Sequence, residues 1–383
     1  MKQNFLMLAA IFGALLTGCS NEEIANVETS QQNVIGFNVI SNKAQTKATP
    51  ITPSNLTTTD FDVFAYTEDG TAFMGKTDTD FAHDGVKIVH NEQNDAWTYE
   101  DPTELRYWPT KDTPLDFYAV SPGSLINGDP AMHYVWNFNH DSQTIHYTCL
   151  DEYAGITDEN IHANHDVMYS IAKDQTKDTN NGIVKFTFKH ILSQVVFKAK
   201  TELDNMEVTI KNITINNAKF WGTFTLPTDA TTEPTADNWE VPEGLDTGWY
   251  SPTVVRNANI SVSNSTEDIS STTPMLTIPQ VLTKWTVSGN TKAIAQANNA
   301  KQSYLTISCN IKQSDVYVVG SETTYETIYV PFGADWQPGK RYIYTLIFGG
   351  GYDENGDPIL TPIQFDAETS DWVDAENDIN LND

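Results

Sequence analysis

Residues 182–226 read GIVKFTFKHILSQVVFKAKTELDNMEVTIKNITINNAKFWGTFTL, and this stretch decides the fold class. Val184, Phe186 and Phe188 alternate with Lys185, Thr187 and Lys189. A period of two places the apolar set on one face of a strand and the lysines on the other. Val195, Phe197 and Ala199 repeat the pattern; Met206, Val208, Ile210 and Ile215 continue it; Phe220, Phe224 and Leu226 close it. Four strands joined by short polar turns predict one antiparallel sheet face of a β-sandwich. The stretch lies mid-chain, so it is expected to open a second domain.

Outward from it, the same signal recurs. Upstream, strands are expected at 33–40 (with Ile35, Phe37 and Val39 alternating), 61–67, 86–90, 96–99, 114–120, 135–138 and 144–148. Downstream they are expected at 254–262, 275–280, 304–311, 316–319 and 327–332. Glu68-Asp69-Gly70 reads as a turn, Pro338-Gly339 as a turn that launches a long strand, and Asn355-Gly356 as the tip of a hairpin before a returning strand at 359–367. No stretch beyond residue 19 holds helical amphipathic period for three turns. The chain has 383 residues, 39% hydrophobic and 11% aromatic, enough for two domains with sizeable cores. Residues 171–181 (IAKDQTKDTNN) are polar and charged and read as a linker. The expected fold is all-β: two consecutive antiparallel β-sandwich domains of Greek-key type, at 33–181 and 182–383.

Residues 1–18 read as a lipoprotein signal peptide and 19–32 as a polar tether. Lys2 gives the positive start, and the apolar run 5–16 is too short to span a bilayer. Leu16-Thr17-Gly18-Cys19 matches a bacterial lipobox, with cleavage between Gly18 and Cys19 and acylation of the Cys19 thiol. Acyl chains hold a protein to a membrane by about 0.8 kcal/mol per buried CH₂. Cys149 and Cys309 sit in strand-like contexts. Buried free thiols are the favoured reading, and a disulfide between domains is the alternative.

The net charge of −29 repels phosphate backbones, and no basic stripe offsets it, so nucleic acid is not an expected partner. His162 and His165, with Asp166 adjacent, lie in a loop-like ENIHANHD context and are read as solvated side chains. The DENGD run lacks the glycine position and distal glutamate of an EF-hand loop. No metal or cofactor is expected. Hydrolase, zinc-protease and phosphate-loop motifs are absent from the sequence, and no enzyme activity is expected. Trp239, Trp249 and Tyr250 lie in a Pro-, Thr- and Asp-rich insertion at 227–252. They are candidate ligand contacts for sugar rings, weighed against packing of the insertion to the sandwich edge.

Several of these stretches together resemble the fimbrillin-like family of Bacteroidales surface lipoproteins. They are VKFTFKHILSQVVFKAK with ITINNAKFWGTFTL, Tyr107-Trp108-Pro109 before LDFYAVSP, Asp166-Val167-Met168-Tyr169, MLTIPQ at 275–280, and WQPGKRYIYTL at 336–346. Ser20-Asn21-Glu22-Glu23 resembles the acidic signal that sends such lipoproteins to the outer face. The resemblance implies a structural or accessory subunit of fimbriae, with a role in adhesion, anchored in outer-membrane lipid through acylated Cys19. It implies assembly by strand exchange, with other fimbrial subunits as partners and host or bacterial glycans or proteins as further ones. A trypsin-like protease would trim the precursor in the loop holding Lys43 and Lys47. Thr46-Lys47-Ala48 has lysine where arginine is commoner, and both residues read equally as solvated loop lysines. The exchanged strand would carry Ile35, Phe37 and Val39. The alternative function is a monomeric glycan-binding surface lipoprotein of a nutrient-uptake system.

Overall fold

The computed structural model describes residues 33–40, 59–77, 83–109, 113–123, 136–149, 166–242, 249–256, 258–270, 274–360 and 364–371. Gly18, Cys19, Lys43, Lys47, His162, His165 and the 372–383 stretch lie outside the described residues. Strands dominate the described residues, and the one α-helix among them is Ile294–Asn299.

The first sheet runs in the order Ile183–Phe186, Gly36–Val39, Ala96–Tyr99, Val86–Asn91, Phe61–Thr67, Leu115–Ser121, Met168–Gln175 and Lys189–His190, with Ala72–Met74 joined to Phe61–Thr67. Its two edge strands are consecutive in sequence, separated only by Thr187 and Phe188. The Thr187 amide donates to Ser170 Oγ at 3.0 Å, which draws the edges together and curls the sheet towards a closed barrel. Both faces are buried. Phe61, Val63, Ala65, Leu115, Phe117 and Ala119 enter a core shared with Ile35, Phe37, Val184 and Phe186. Phe64, Tyr66, Tyr118, Val120, Tyr169 and Ile171 enter a second core on the opposite face. Double burial explains why FDVFAYT carries little polar alternation.

That second face is covered by a four-stranded sheet ordered Trp239–Glu240, Trp221–Thr225, Thr144–Thr148 and Trp136–Asn139. Its strands come from both sides of residue 182. The Phe64 and Phe138 rings lie 4.9 Å apart and Tyr169 and Phe224 5.3 Å apart. Beyond it, Ser193–Thr201 and Lys340–Phe348 pair in parallel from Gln194↔Arg341 to Thr201↔Phe348 in a five-stranded sheet. Met206–Asn216 and Tyr304–Gln313 pair antiparallel in the eight-stranded sheet that faces it. Val195, Phe197 and Ala199 meet Val208, Ile210, Ile213, Leu305 and Ile307 in one continuous core, which reaches back to Phe64 and Tyr66.

The topology corrects the expectation that residues 182–226 form one antiparallel face. Ile183–Phe186 lies in the first sheet, Ser193–Thr201 in the five-stranded sheet, Met206–Asn216 in the eight-stranded sheet and Trp221–Thr225 in the four-stranded sheet. Period-two alternation fixes which side chains turn inward. It carries no information on which strand sits alongside, and here the partners come from as far as 147 residues away, as in Gly36↔Ile183 and Gln194↔Arg341. Ile183–Phe186 therefore belongs with the strands before it, and the chain crosses between sheets at residues 187–192.

The expected turns form. Gly70, Gly339 and Gly356 have φ of +81°, +64° and +76°, conformations that side chains rarely adopt. The Gly339 amide donates to Leu192 O at 2.8 Å, tying the start of Lys340–Phe348 to the crossover. Phe197 is fully buried between Phe332 and Tyr344. Phe197→Ala is expected to lower stability by about 3–5 kcal/mol in urea unfolding. A loss under about 1 kcal/mol would contradict this account of the core.

A candidate assembly groove around the first strand

Gly36–Val39 is an interior strand of the first sheet. On one side it runs parallel to Ile183–Phe186 in four registered pairs, from Gly36↔Ile183 to Val39↔Phe186. On the other it is antiparallel to Ala96–Tyr99 through Phe37↔Trp97. Hydrogen bonds extend the pairing past both ends. The Trp108 amide donates to Asn33 O at 2.8 Å, Ile35 N to Arg106 O at 3.0 Å, and Ile40 N to Phe186 O at 2.8 Å. The Tyr99 hydroxyl donates to Ile35 O at 3.1 Å.

The side chains of this strand divide as its sequence predicts. Ile35 and Phe37 are buried, Val39 is half-buried, and Asn38 is exposed. The Phe37 ring stacks on Phe186 at 6.0 Å and meets Tyr99 at 5.6 Å and Phe117 at 6.4 Å. Trp108 plugs the end where the strand begins, its Nε1 donating to Gly182 O at 2.9 Å. Lys177 Nζ donates to Asn33 Oδ1 at 2.5 Å across the same end. Ile35, Phe37 and Val39 are thus brought together on one strand. The strand packs in a core with Trp108, Phe117 and Phe186, beside Tyr99, and is flanked by two rows of main-chain groups.

The sequence pattern of the fimbrillin-like family matches residues 46–372. The chain belongs to the fimbrillin-like family. A relative in Phocaeicola vulgatus, the fimbrium subunit Fim1C, is 26% identical over 237 residues, 59% of this chain and 59% of that protein. This chain's match therefore spans less than two thirds of that relative's length. The crystal structure of a fimbrial protein from Bacteroides vulgatus ATCC 8482 superposes with a TM-score of 0.57 at 16% identity, covering 89% of this chain and 100% of that one. At that identity the superposition speaks to the fold. In this fimbrillin-like chain the family match begins beyond Gly36–Val39, so the strand that fills the groove lies outside it.

The aromatic candidates of the insertion do not converge on one surface. Trp239 is buried between Phe224 and Tyr147 and donates from Nε1 to Ile191 O at 2.9 Å. Tyr250 is buried with its ring 5.8 Å from Phe220. Trp249 is half-buried, and the Lys219 ammonium sits 3.8 Å over its ring. In the DENGD hairpin the Asp353 carboxylate accepts from the amides of Asn355 and Asp357, and Asp357 pairs with Lys292.

Sequence reasoning named the first strand but not the groove wall. Trp97, Tyr99 and Arg106 gave no signal as wall residues, because their partners are set by register across the sheet. Trp108 stands in the sequence only as part of the Tyr107-Trp108-Pro109 resemblance.

Cys149 and Cys309 are both buried thiols outside any disulfide. Burial, reinforced by Glu326 opposite it in the ladder, pushes the Cys309 thiol from 9.0 up to about 12. The folded chain therefore holds that proton at pH values where the unfolded chain releases it. Its contribution is intact below about pH 9 and falls as pH rises towards 12. With Cys19→Ala, the native chain at pH 8 is expected to resist an aromatic disulfide reagent and to expose both thiols only on denaturation. Fast native labelling would contradict the placement of both cysteines.

Proposed function

We propose that this protein is a subunit or accessory component of surface fimbriae that associates by strand exchange, with a role in adhesion. The observation that carries the reading is the position of Gly36–Val39. It is an interior strand bonded on both edges, supplied by a segment upstream of the Lys43 and Lys47 loop. A cut after Lys47 detaches this strand and everything before it, and leaves Ile183–Phe186 without its ladder among the described residues. Stripping Ile35 and Phe37 exposes pockets worth about 1.5–3 kcal/mol each, and the two flanking strands are left with unmet main-chain groups. A strand from another copy relieves both penalties.

The C-terminal side offers a strand of matching pattern. Ile363-Gln364-Phe365-Asp366-Ala367 repeats the Ile35-Gly36-Phe37-Asn38-Val39 order of apolar and polar residues. Among the described residues Gln364–Asp371 is an edge strand paired with Lys340–Phe348, and Ala367 to Ser370 are exposed. An edge strand with one ladder leaves its sheet more readily than an interior one. In this reading Cys19 carries the lipid that holds the precursor at the outer membrane before trimming.

Two experiments test the reading. Purified precursor is treated with a Lys/Arg-specific protease, the new N-terminus is sequenced, and SDS-resistant ladders are sought. Release at Ala48 with ladders is expected, and no cleavage between residues 41 and 55 removes the mechanism. Separately, cells are labelled with a palmitate analogue. Label is expected in the parent and absent from Cys19→Ala, and equal labelling would refute the anchor.

A further inference from the structure

The middle of the outer face of the eight-stranded sheet is a patch of hydroxyl and amide groups. Along Tyr304–Gln313, Leu305, Ile307 and Cys309 point into the core, so Thr306 and Ser308 point out. Register sets Thr253, Thr214, Thr306 and Tyr329 in one row across four strands. The next row holds Asn212, Ser308 and Thr327. All are half-buried except Thr327, which is exposed. Neither row contains an acidic residue, although the chain has 51.

Two banks rise on either side of these rows. On one, Trp285 meets Tyr304 and Tyr352 edge-on at 5.8 and 5.6 Å, and Ile294 and Ala297 of the short helix join them. On the other, the 320–325 loop is tied down by Asn310 Nδ2, which donates to Ser321 O at 2.9 Å. The Tyr325 hydroxyl donates to Asn259 Oδ1 at 2.8 Å, beyond Met206–Asn216, so the tyrosine lies across the face. Tyr304 and Asn310 are six residues apart on one strand, about 20 Å, and the two rows lie between them.

A cation is held at the second bank. Lys211 is the extra residue of a bulge in Met206–Asn216, between Ile210↔Cys309 and Asn212↔Ser308. Its ammonium sits 5.0 Å from the centre of the Tyr325 ring. It pairs with no carboxylate among the described residues. Ser308 and Thr327 stand side by side, and their hydroxyls make no hydrogen bond among the described residues. At the first bank the Glu354 carboxylate acts on Tyr329. The trough is therefore positive at one end and negative at the other.

We infer that this trough binds an anionic oligosaccharide, with a carboxylate or sulfate of the sugar at the Lys211 ammonium and sugar hydroxyls on Thr306, Ser308 and Thr327. Charge complementarity is the first reason. In a chain with 22 basic and 51 acidic residues, an ammonium held on a ring and away from carboxylates is matched by an anion from outside. Hydrogen-bonding character is the second. Each Ser or Thr hydroxyl both donates and accepts, as a sugar hydroxyl does, and the half-buried Tyr329 ring offers a surface to the apolar face of a sugar. The third reason sets a peptide aside. A peptide ligand uses a free sheet edge or apolar pockets, whereas Met206–Asn216 and Tyr304–Gln313 are paired on both edges and turn polar side chains outward here. The inference does not depend on strand exchange.

The test is titration calorimetry on the full chain carrying Cys19→Ala, with a galacturonate tetramer and a sulfated dextran oligomer as probes. At least one is expected to bind, about tenfold or more tightly than its uncharged counterpart, the methyl ester or the plain dextran oligomer. Which of the two binds distinguishes carboxylate from sulfate, and added salt should weaken it. Lys211→Ala is expected to weaken binding about tenfold or more, while Lys211→Arg keeps it. Ser308→Ala with Thr327→Val should weaken it as well. Lys312→Ala removes the ammonium over Tyr317, outside the trough, and should leave binding unchanged. No binding of either probe, equal binding of the uncharged counterparts, or full binding by Lys211→Ala would overturn the inference. So would a glutamate octapeptide that binds as tightly, which would assign the trough to an acidic protein segment.

Discussion

Main-chain pairing on both edges of Gly36–Val39 is the constraint on which the first sheet depends. Ile183–Phe186 on one side and Ala96–Tyr99 on the other each present groups that only a strand can satisfy. Unmet buried donors and acceptors cost about 1–3 kcal/mol each, so both neighbours of this strand are held by its main chain. The apolar contribution acts in the same place, since Phe37 meets Phe186, Tyr99 and Phe117 there. Main-chain bonds supply affinity without sequence preference, and the Ile35 and Phe37 pockets supply the preference.

A second set of contacts keeps this sheet joined to the rest of the molecule. The crossover after Phe188 is held from two directions. From the insertion, Lys189 pairs with Glu233 at 2.9 Å and Trp239 donates to Ile191 O. From the Trp336-Gln337-Pro338-Gly339 turn, Gly339 N donates to Leu192 O and Gln337 O accepts from Ser193 Oγ at 2.9 Å. The insertion and the turn also bind each other, Ala236 N donating to Gln337 Oε1 at 2.9 Å. The buried Asp166 carboxylate meets His190 Nδ1 at 3.0 Å on the same segment. Removing the first strand would open one sheet without loosening this junction.

Strand positions and inward faces were legible in the sequence because period-two alternation is a local property. Ile35, Phe37, Val195, Phe197 and Ala199 all turn the way their spacing predicts. Turns were legible for the same reason, as at Gly70, Gly339 and Gly356. Neighbours were not. The parallel pairing of Val195 with Tyr342, and the placement of Phe186 beside Val39, join segments whose patterns carry no mark of each other. The site followed the same division. Its filling strand could be named, whereas Tyr99, Arg106 and Trp108 enter only through register. Trp239 and Tyr250 are buried, as the packing reading of the insertion expects, although the sheet that buries them leaves no local trace.

The charge of the chain bears on which kind of association its surface can support. At −29, two copies repel as they approach. Salt screens that repulsion over about 8 Å at physiological strength, so it acts on encounter and fades once surfaces touch. Contacts that need broad complementary charge are poorly served by such a surface. Insertion of a strand into an apolar groove is different, because its hydrogen bonds and buried side chains act only at contact distance. Gly36–Val39 lies within the first sheet, where Ile35 and Phe37 share a core with Phe117 and Phe186. A strongly acidic exterior and an uncharged, strand-shaped interior site are therefore compatible.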